Sequence, residues 1–334
     1  MPNNIYKKDY KNLMLRIGFT MLVFVVLIST LFSANNELLG PFFDQRLDGK
    51  SAYIVKSIMS SAIYLAVFLL PAGFFKLISI KRNPRSAFTA VRLDKQFPLM
   101  MIAGIAVIFS MAYVNSYIME WVGFDYDMFA SEPIDANYKL ILTVISSALV
   151  PACCEEYLFR GVILSNVLPY GKTNAVIVSA VMFGLMHQNP AQMLYATAAG
   201  IVLGLVYIRT RSIWGVFLIH FFNNLISVIQ QTLFDRMVYD RANKICIIME
   251  LSIVVVGVAC AIILLCTERR RKRAFDSSGF GVIIEPDEGY VERPLPGRIA
   301  SKMFFSPTII IFIIIACSEM ALYMLLSWGV LTLI

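Results

Sequence analysis

Seven residues with reactive or supporting side chains fall in three short clusters inside apolar sequence. They are Glu155, Glu156, Arg160, Phe183, His187, His220 and Asn224. Each cluster contains a pair of residues four positions apart, and the two histidines are the only ones in the 334-residue chain. An ionisable side chain at membrane depth costs about 3 kcal/mol or more unless it is paired, hydrated or used in chemistry. The clusters therefore indicate a functional site.

The first cluster contains a carboxylate that its neighbours leave unpaired. Residues four apart differ by about 40° around a helix, so Glu156 shares a face with Arg160 and can be neutralised by it. Glu155 is about 100° away and points elsewhere. An unpaired carboxylate in a site of low dielectric can act as a general base. The alternative is that both glutamates belong to one structural salt bridge.

The two histidine clusters supply the other groups that hydrolysis of an amide bond needs. If the fourth apolar helix ends near Leu168 at the membrane face from which the fifth helix starts, Glu155 and His187 both lie about 20 Å from that face and can activate a water together. His220 and Asn224 share a helix face and can donate two hydrogen bonds to an oxyanion. A histidine in a membrane bundle can also serve only to hold neighbouring helices together, and this alternative remains open for His187.

Apolar composition defines the elements that must position these groups. Hydrophobic residues make up 58% of the chain, charged residues make up 15%, and the mean hydropathy is +0.72. We therefore predict an all-α, polytopic transmembrane helical bundle of about eight or nine spans. The apolar runs lie near 13–33, 52–75, 98–119, 138–165, 173–188, 191–208, 212–231, 245–266 and 304–330.

These runs divide the chain into five segments. Because no small-residue cleavage site follows the first apolar run, we expect that run to be retained as a membrane anchor. The segments are transmembrane helices 1–3 in residues 1–137, a catalytic core in 138–231, an eighth span in 232–266, a hydrophilic cytoplasmic linker in 267–303 and a last span in 304–334.

The charge distribution predicts the orientation of the chain in the membrane. Nine alternating spans place most of the Lys and Arg residues on the side of the N-terminus and acid-rich loops on the other side. We therefore expect a multi-pass protein of the cell membrane with a cytoplasmic N-terminus. The net charge of +7 is explained in the same way, with the basic run 269–273 lying against anionic lipid, so we expect no nucleic-acid partner. The six cysteines lack CxxC spacing, which argues against a disulfide framework or a Cys-based zinc site.

At these residues the sequence resembles the family of CAAX prenyl endopeptidases and bacteriocin-processing enzymes, also called the Abi or CPBP family of intramembrane proteases. The family's ordered signatures are Glu-Glu-x-x-x-Arg, Phe-x-x-x-His and His-x-x-x-Asn, and all three occur here within residues 138–231. The resemblance implies that Glu155 and His187 activate water and that His220 and Asn224 form the oxyanion or ligand pair. It also implies that Glu156 and Arg160, with Phe183, support them.

The resemblance leaves the use of a metal open. Glu155, His187 and His220 could bind Zn²⁺ with a fourth position for water, as in a metalloprotease. The chain has no His-Glu-x-x-His motif, and the family has also been interpreted as metal-independent glutamate peptidases. Because the Glu/His and His/Asn pairs already supply a base and an oxyanion site, we favour a mechanism without an obligatory metal.

The predicted function is therefore that of an intramembrane endopeptidase, a CAAX-type hydrolase. Its substrate would be a prenylated peptide or another peptide or protein embedded in the lipid bilayer. One alternative is a proton-coupled transporter that uses the same carboxylate and imidazoles as a relay, although the sequence has no repeated half. Another is a non-catalytic immunity protein that binds a peptide.

Overall fold

The computed structural model describes residues 4–79, 96–124, 132–278 and 295–330, and every regular element in these ranges is helical. Eight helices there are long and apolar enough to cross a membrane, and a ninth is apolar but short. The predicted polytopic bundle of about eight or nine spans is thus confirmed. In chain order the helices are α1 Asn4–Asp44, α2 Gly49–Ile78, α3 Phe97–Trp121, α4 Asn137–Tyr170, α5 Lys172–Leu185, α6 Pro190–Thr210, α7 Ile213–Arg236, α8 Tyr239–Ser278, α9 Gly297–Phe304 and α10 Pro307–Ser327.

Local sequence explains where several of these helices begin. The Asp48 side chain caps α2 by accepting hydrogen bonds from the backbone N–H groups of Lys50 and Ser51, at 3.1 and 3.2 Å. Asn189 caps α6 in the same way and is followed by a proline at the first helical position. Gly171, with φ of 131°, provides the turn that separates α4 from α5. The short connections make α4, α5 and α6 antiparallel neighbours.

Small residues bring α5 and α6 unusually close together. A Cβ atom added to Gly200 would lie 2.8 Å from the Cα atom of Ala180, and one added to Gly184 would lie 1.9 Å from Oγ1 of Thr197. Neither space can hold an extra methyl group without movement of the partner helix. Close backbone approach of this kind is the usual basis of helix association in lipid.

Helix α5 is too short to cross the membrane completely. Helix α5 has 14 residues, so it rises about 21 Å, whereas a hydrocarbon core is about 30 Å thick. The predicted span over 173–188 therefore extends three residues too far, because the helix ends at Leu185. A turn follows, in which Gln188 has a φ of 50°. His187 lies in this turn and not within a helix.

Helix α4 is wound irregularly around the first polar cluster. Val144–Leu149 and Tyr157–Leu164 are π-helical, and Val150–Glu156 between them is α-helical. π-Helical turns inside longer helices often occur at functional sites. The irregular winding places Glu155 and Glu156 at the end of the central α-helical segment.

The segment predicted as a hydrophilic linker, 267–303, is partly helical in the structure. Helix α8 continues into it as far as Ser278, and α9 occupies Gly297–Phe304. The residues between them, 279–294, lie outside the described ranges, as do the side chains of 271–278, which include part of the basic run.

Candidate active site

Two of the predicted supporting residues form a fully buried ion pair. Arg160 donates from Nη1 to Oε1 of Glu156 at 2.8 Å, and both side chains have no exposed surface. The Nδ1 atom of His220 lies 2.8 Å from the same oxygen, and Arg160 donates from Nη2 to the backbone oxygen of Gly200 at 3.2 Å. We call Glu156, Arg160 and His220 the closed cluster. It ties α4 to α6 and α7 in the middle of the bundle.

The Phe183 ring packs against three of the polar side chains. The Arg160 guanidinium lies over this ring, 4.6 Å from its centroid. The imidazoles of His187 and His220 meet it edge to face, with centroids 5.3 and 5.8 Å away. Such contacts are favourable for a cation over a ring face and for tilted aromatic pairs. The phenylalanine in the second cluster therefore fixes both imidazoles relative to the arginine.

Glu155 is also buried, but its carboxylate is only partly satisfied. Its Oε1 atom accepts a hydrogen bond from the hydroxyl group of Tyr64 on α2. Its Oε2 atom has no hydrogen-bond partner among the described residues and lies 3.8 Å from Nε2 of His220. A buried polar atom without a partner in a native fold calls for an explanation, such as a catalytic role.

His187 is oriented by the backbone of its own hairpin. Its Nδ1 atom lies 2.9 Å from the carbonyl oxygen of Phe183, so Nδ1 is the donor and Nε2 is left as an acceptor. Asn224, one turn beyond His220 on α7, accepts a hydrogen bond on Oδ1 from Nδ2 of Asn223 at 3.3 Å. Its own amide group can still donate.

These groups converge on one cavity of about 310 Å³, which we call the catalytic cavity. Five of the seven residues singled out in the sequence line it, while Glu156 and Arg160 lie behind its wall in the closed cluster. The structure thus brings all three sequence clusters together. The predicted residues in the lining are Glu155, Phe183, His187, His220 and Asn224.

The sequence did not reveal several polar residues of the catalytic cavity. Tyr64 belongs to no motif, and a single tyrosine in an apolar span has the appearance of an ordinary core residue. Gln192, Tyr195 and Asn223 line the cavity as well. Asn223 precedes Asn224 directly, and two adjacent amides in an apolar span are a signal that could have been used.

The described residues do not form a metal site as they are placed. Among them, no group of three or more His, Cys, Asp or Glu side chains is arranged to hold a metal ion, and this includes the predicted set of Glu155, His187 and His220. We therefore derive no step through Zn²⁺.

A larger polar cavity of about 470 Å³ adjoins the catalytic cavity near the end of α1, and we call it the lysine cavity. Lys56 lines it and forms ion pairs with Asp44 at 2.9 Å and with Glu132 at 3.3 Å. The two acidic side chains are about half exposed. Ser147 and Gln231 line both cavities, so the two spaces are adjacent.

Comparison with known proteins points to the same part of the chain. Residues 137–226 match the family described as type II CAAX prenyl endopeptidase Rce1-like. The putative membrane peptidase YdiL of Bacillus subtilis is 34% identical over 101 residues, which are 29% of this chain and 41% of that protein. The membrane-embedded CAAX protease MroQ of Staphylococcus aureus is 24% identical over 182 residues, 51% of this chain and 74% of the relative. No solved structure matches the chain.

The matched segment contains α4, α5, α6 and most of α7, which are the helices that carry all seven residues. The enzyme class predicted from the sequence is the class that the family description names. The matches confirm the resemblance seen in the three motifs: residues 137–226 are similar to the Rce1-like type II CAAX prenyl endopeptidases.

Proposed function

We propose that this membrane protein is an intramembrane endopeptidase that hydrolyses a peptide bond with a water activated by Glu155 and His187. The observation that carries the proposal is the buried Oε2 atom of Glu155, which has no hydrogen-bond partner among the described residues and lies near the imidazole of His220, in a cavity that His187 also lines. A buried base beside a water-sized space is what amide hydrolysis requires.

In the proposed reaction, a water in the catalytic cavity is hydrogen-bonded to Oε2 of Glu155 and to Nε2 of His187. Glu155 takes a proton as the water oxygen bonds to the carbonyl carbon of the substrate. The carbonyl oxygen becomes an oxyanion, which accepts hydrogen bonds from Nδ2 of Asn224 and from Nε2 of His220 in its imidazolium form. The carbon–nitrogen bond then breaks, and the proton held by Glu155 passes to the leaving amine.

The surrounding residues have positioning roles in this mechanism. The hydroxyl group of Tyr64 donates to Oε1 of Glu155, which directs the unpartnered oxygen toward the water. The carboxylate of Glu156 holds Nδ1 of His220, so that Nε2 faces the oxyanion. Arg160 balances the charge of Glu156.

The proposed substrate is a prenylated peptide or another membrane-associated peptide or protein. The position of the site supports this. The residues of the catalytic cavity lie on helices long and apolar enough to cross a membrane, on the shorter α5 and on the turn that follows it. We further infer that the chain lies in the cell membrane with a cytoplasmic N-terminus, which the basic residues on that side of the spans support. Reporter fusions at successive loops test the orientation.

The proposal is tested by cleavage of a panel of fluorogenic prenylated peptides and leader peptides by the purified protein in detergent. We expect the wild type to cleave at least one peptide and the Glu155→Gln and His187→Ala variants to lose about 100-fold or more of kcat. We also expect activity to persist in the presence of a chelator. Equal signals from wild type and folded Glu155→Gln would exclude the mechanism, and a signal that chelation abolishes would require a metal in it.

A further inference from the structure

A third cavity of about 380 Å³ extends from the catalytic cavity between α3, α6, α7 and α8, and we call it the side cavity. Tyr195, Asn223 and Asn224 are among the residues that line both spaces, so a ligand can occupy the two together. The side cavity is within the size range of small-ligand sites. The full set of shared residues is Ile108, Gln192, Tyr195, Asn223, Asn224 and Ser227.

The side cavity contains a carboxylate that the peptidase mechanism does not use. Glu250 lines it from α8, the most apolar of the eight candidate spans. Its Oε1 atom accepts a hydrogen bond from the neutral amide of Gln230, and within the described part of the chain no basic side chain forms an ion pair with it. Of the described residues that line the cavity, Glu250 is the one with a formal charge. A charged group inside an apolar span is costly and marks a functional site unless a partner neutralises it.

A second unsatisfied acceptor faces the same region. Asn115 on α3 is 2% exposed and lines the side cavity. It donates from Nδ2 to the backbone oxygen of Ala191 at 2.6 Å, whereas its Oδ1 atom has no hydrogen-bond donor among the described residues. Leaving a buried acceptor without a donor costs about 1–3 kcal/mol in a typical protein. The cavity therefore combines a net negative charge with an unmet carbonyl acceptor.

We propose that the side cavity is a subsite for a positively charged group of the peptide substrate, namely the side chain of a lysine or arginine near the scissile bond. Ammonium and guanidinium groups carry only donors, so they complement the carboxylate of Glu250 and the Oδ1 atom of Asn115. Because the side cavity shares a wall with the catalytic cavity, a residue close to the cleaved bond can reach it. This subsite rests on the proposed peptidase function and adds a charge preference to it.

The subsite is tested with pairs of peptides that are identical except that a lysine at one position near the scissile bond is replaced by norleucine. We expect the wild type to show kcat/KM higher for the lysine peptide by about tenfold, as a charge-assisted hydrogen bond would give. Glu250→Gln keeps the hydrogen-bonding shape but removes the charge. It should lose the preference for lysine, measured as the ratio of the kcat/KM values for the two peptides of a pair.

Two further variants separate charge recognition from structural damage. Glu250→Asp retains the carboxylate and should keep part of the preference. Glu319→Gln removes another carboxylate from an apolar helix, α10, that lines none of the three cavities described, and should keep the whole preference. A wild type that cleaves both peptides equally at every lysine position, or a Glu250→Gln variant that retains the preference, would overturn the subsite.

Binding measurements distinguish failure of the subsite from failure of the peptidase proposal. If the wild type cleaves no peptide, fluorescence anisotropy with the labelled peptide pairs still measures charge selectivity. Tighter binding of the lysine peptide that Glu250→Gln abolishes would support the subsite in a protein without peptidase activity. Equal binding of both peptides would exclude the subsite as well.

Discussion

Glu155 and Glu156 are adjacent in sequence, yet their carboxylates lie in two regions that differ in how fully the charge is paired. Glu156 lies in the closed cluster, where Arg160 and His220 both contact one of its oxygens and no surface is exposed. Glu155 borders the catalytic cavity and receives one hydrogen bond from Tyr64, while its other oxygen lies near the His220 imidazole without a hydrogen-bond partner among the described residues. A compensated charge holds helices together, whereas an uncompensated charge at a cavity is available for reaction. Substitutions on each side of this boundary should therefore affect different properties.

The largest effect is expected from Arg160→Ala in the closed cluster. The substitution leaves the buried carboxylate of Glu156 without its cation, which typically costs about 3–5 kcal/mol. Thermal unfolding of the purified variant in detergent measures the loss, and activity should fall together with the folded fraction. Arg209→Ala is the matched control, because Arg209 forms an ion pair with Glu268 at a partly exposed position and such pairs contribute about 0–1 kcal/mol. Equal melting temperatures for the two variants would refute the structural role of the cluster.

A smaller loss of stability is expected from Gly200→Ala, because Gly200 lies on α6 where its backbone contacts Arg160 of the closed cluster. The new methyl group would lie 2.8 Å from the backbone of Ala180, and the carbonyl oxygen of Gly200 accepts from Arg160. Overpacking of this kind costs about 1–3 kcal/mol. The control is Gly73→Ala on α2, where an added Cβ atom has no neighbour within 4 Å. If both alanine variants melt like the wild type, α5 and α6 are less tightly packed than the structure indicates.

On the cavity side, Tyr64→Phe should alter catalysis more than stability. Removal of the hydroxyl group takes away the donor that orients Glu155, and we expect kcat to fall about tenfold with KM little changed, which corresponds to about 1.4 kcal/mol of transition-state stabilisation. Steady-state kinetics and a melting curve on the same preparation measure both quantities. Tyr53→Phe on the same helix removes a hydroxyl group that is bonded to Thr143, away from the catalytic cavity, and should leave kcat unchanged. A pure stability loss in Tyr64→Phe would show that the tyrosine is only a packing residue.

The smallest effect is expected at Asp48, remote from both regions. Hydrogen bonds from the hydroxyl and the backbone N–H of Ser51 hold the pKa of this carboxyl below its usual value. A lowered pKa in the folded state stabilises the fold above the unfolded-state pKa, and this stabilisation is lost as the pH falls through the folded-state pKa. Asp48→Ala should therefore lower the melting temperature slightly at pH 7, and the difference should shrink as the pH falls below about 4. Asp48→Asn, which can still cap α2, should show little loss at either pH.

The sequence could predict the contacts that lie within one helix. Membrane-length apolar runs predicted the bundle, and the spacing of four between Glu156 and Arg160 predicted their pairing, because both features depend on local geometry alone. The same geometry separated Glu155 from Arg160, and the structure shows no hydrogen bond between them. The angular positions of the side chains around a helix were thus enough to predict which of the two glutamates is not paired with Arg160.

The contacts between distant segments could not be predicted in this way. The hydroxyl group of Tyr64 meets Glu155 across 91 positions and Nδ1 of His220 meets Glu156 across 64, so each contact depends on helix packing that no local pattern records. The end of α5 was also missed, since Met186 continues the apolar run and hydropathy does not detect the turn that places His187. The roles assigned to His187, His220 and Asn224 remain predictions, and His187→Ala tests the first of them.

The short α5 also bears on the supply of water to a site at membrane depth. Because this helix rises about 21 Å, it leaves roughly 9 Å of a hydrocarbon core unspanned. The lysine cavity, with its half-exposed carboxylates, lies next to the catalytic cavity through Ser147 and Gln231. Polar side chains therefore continue from the lysine cavity, near the end of α1, to the catalytic cavity. The proposed reaction consumes one water in each turnover, and we expect its replacement to enter through the lysine cavity.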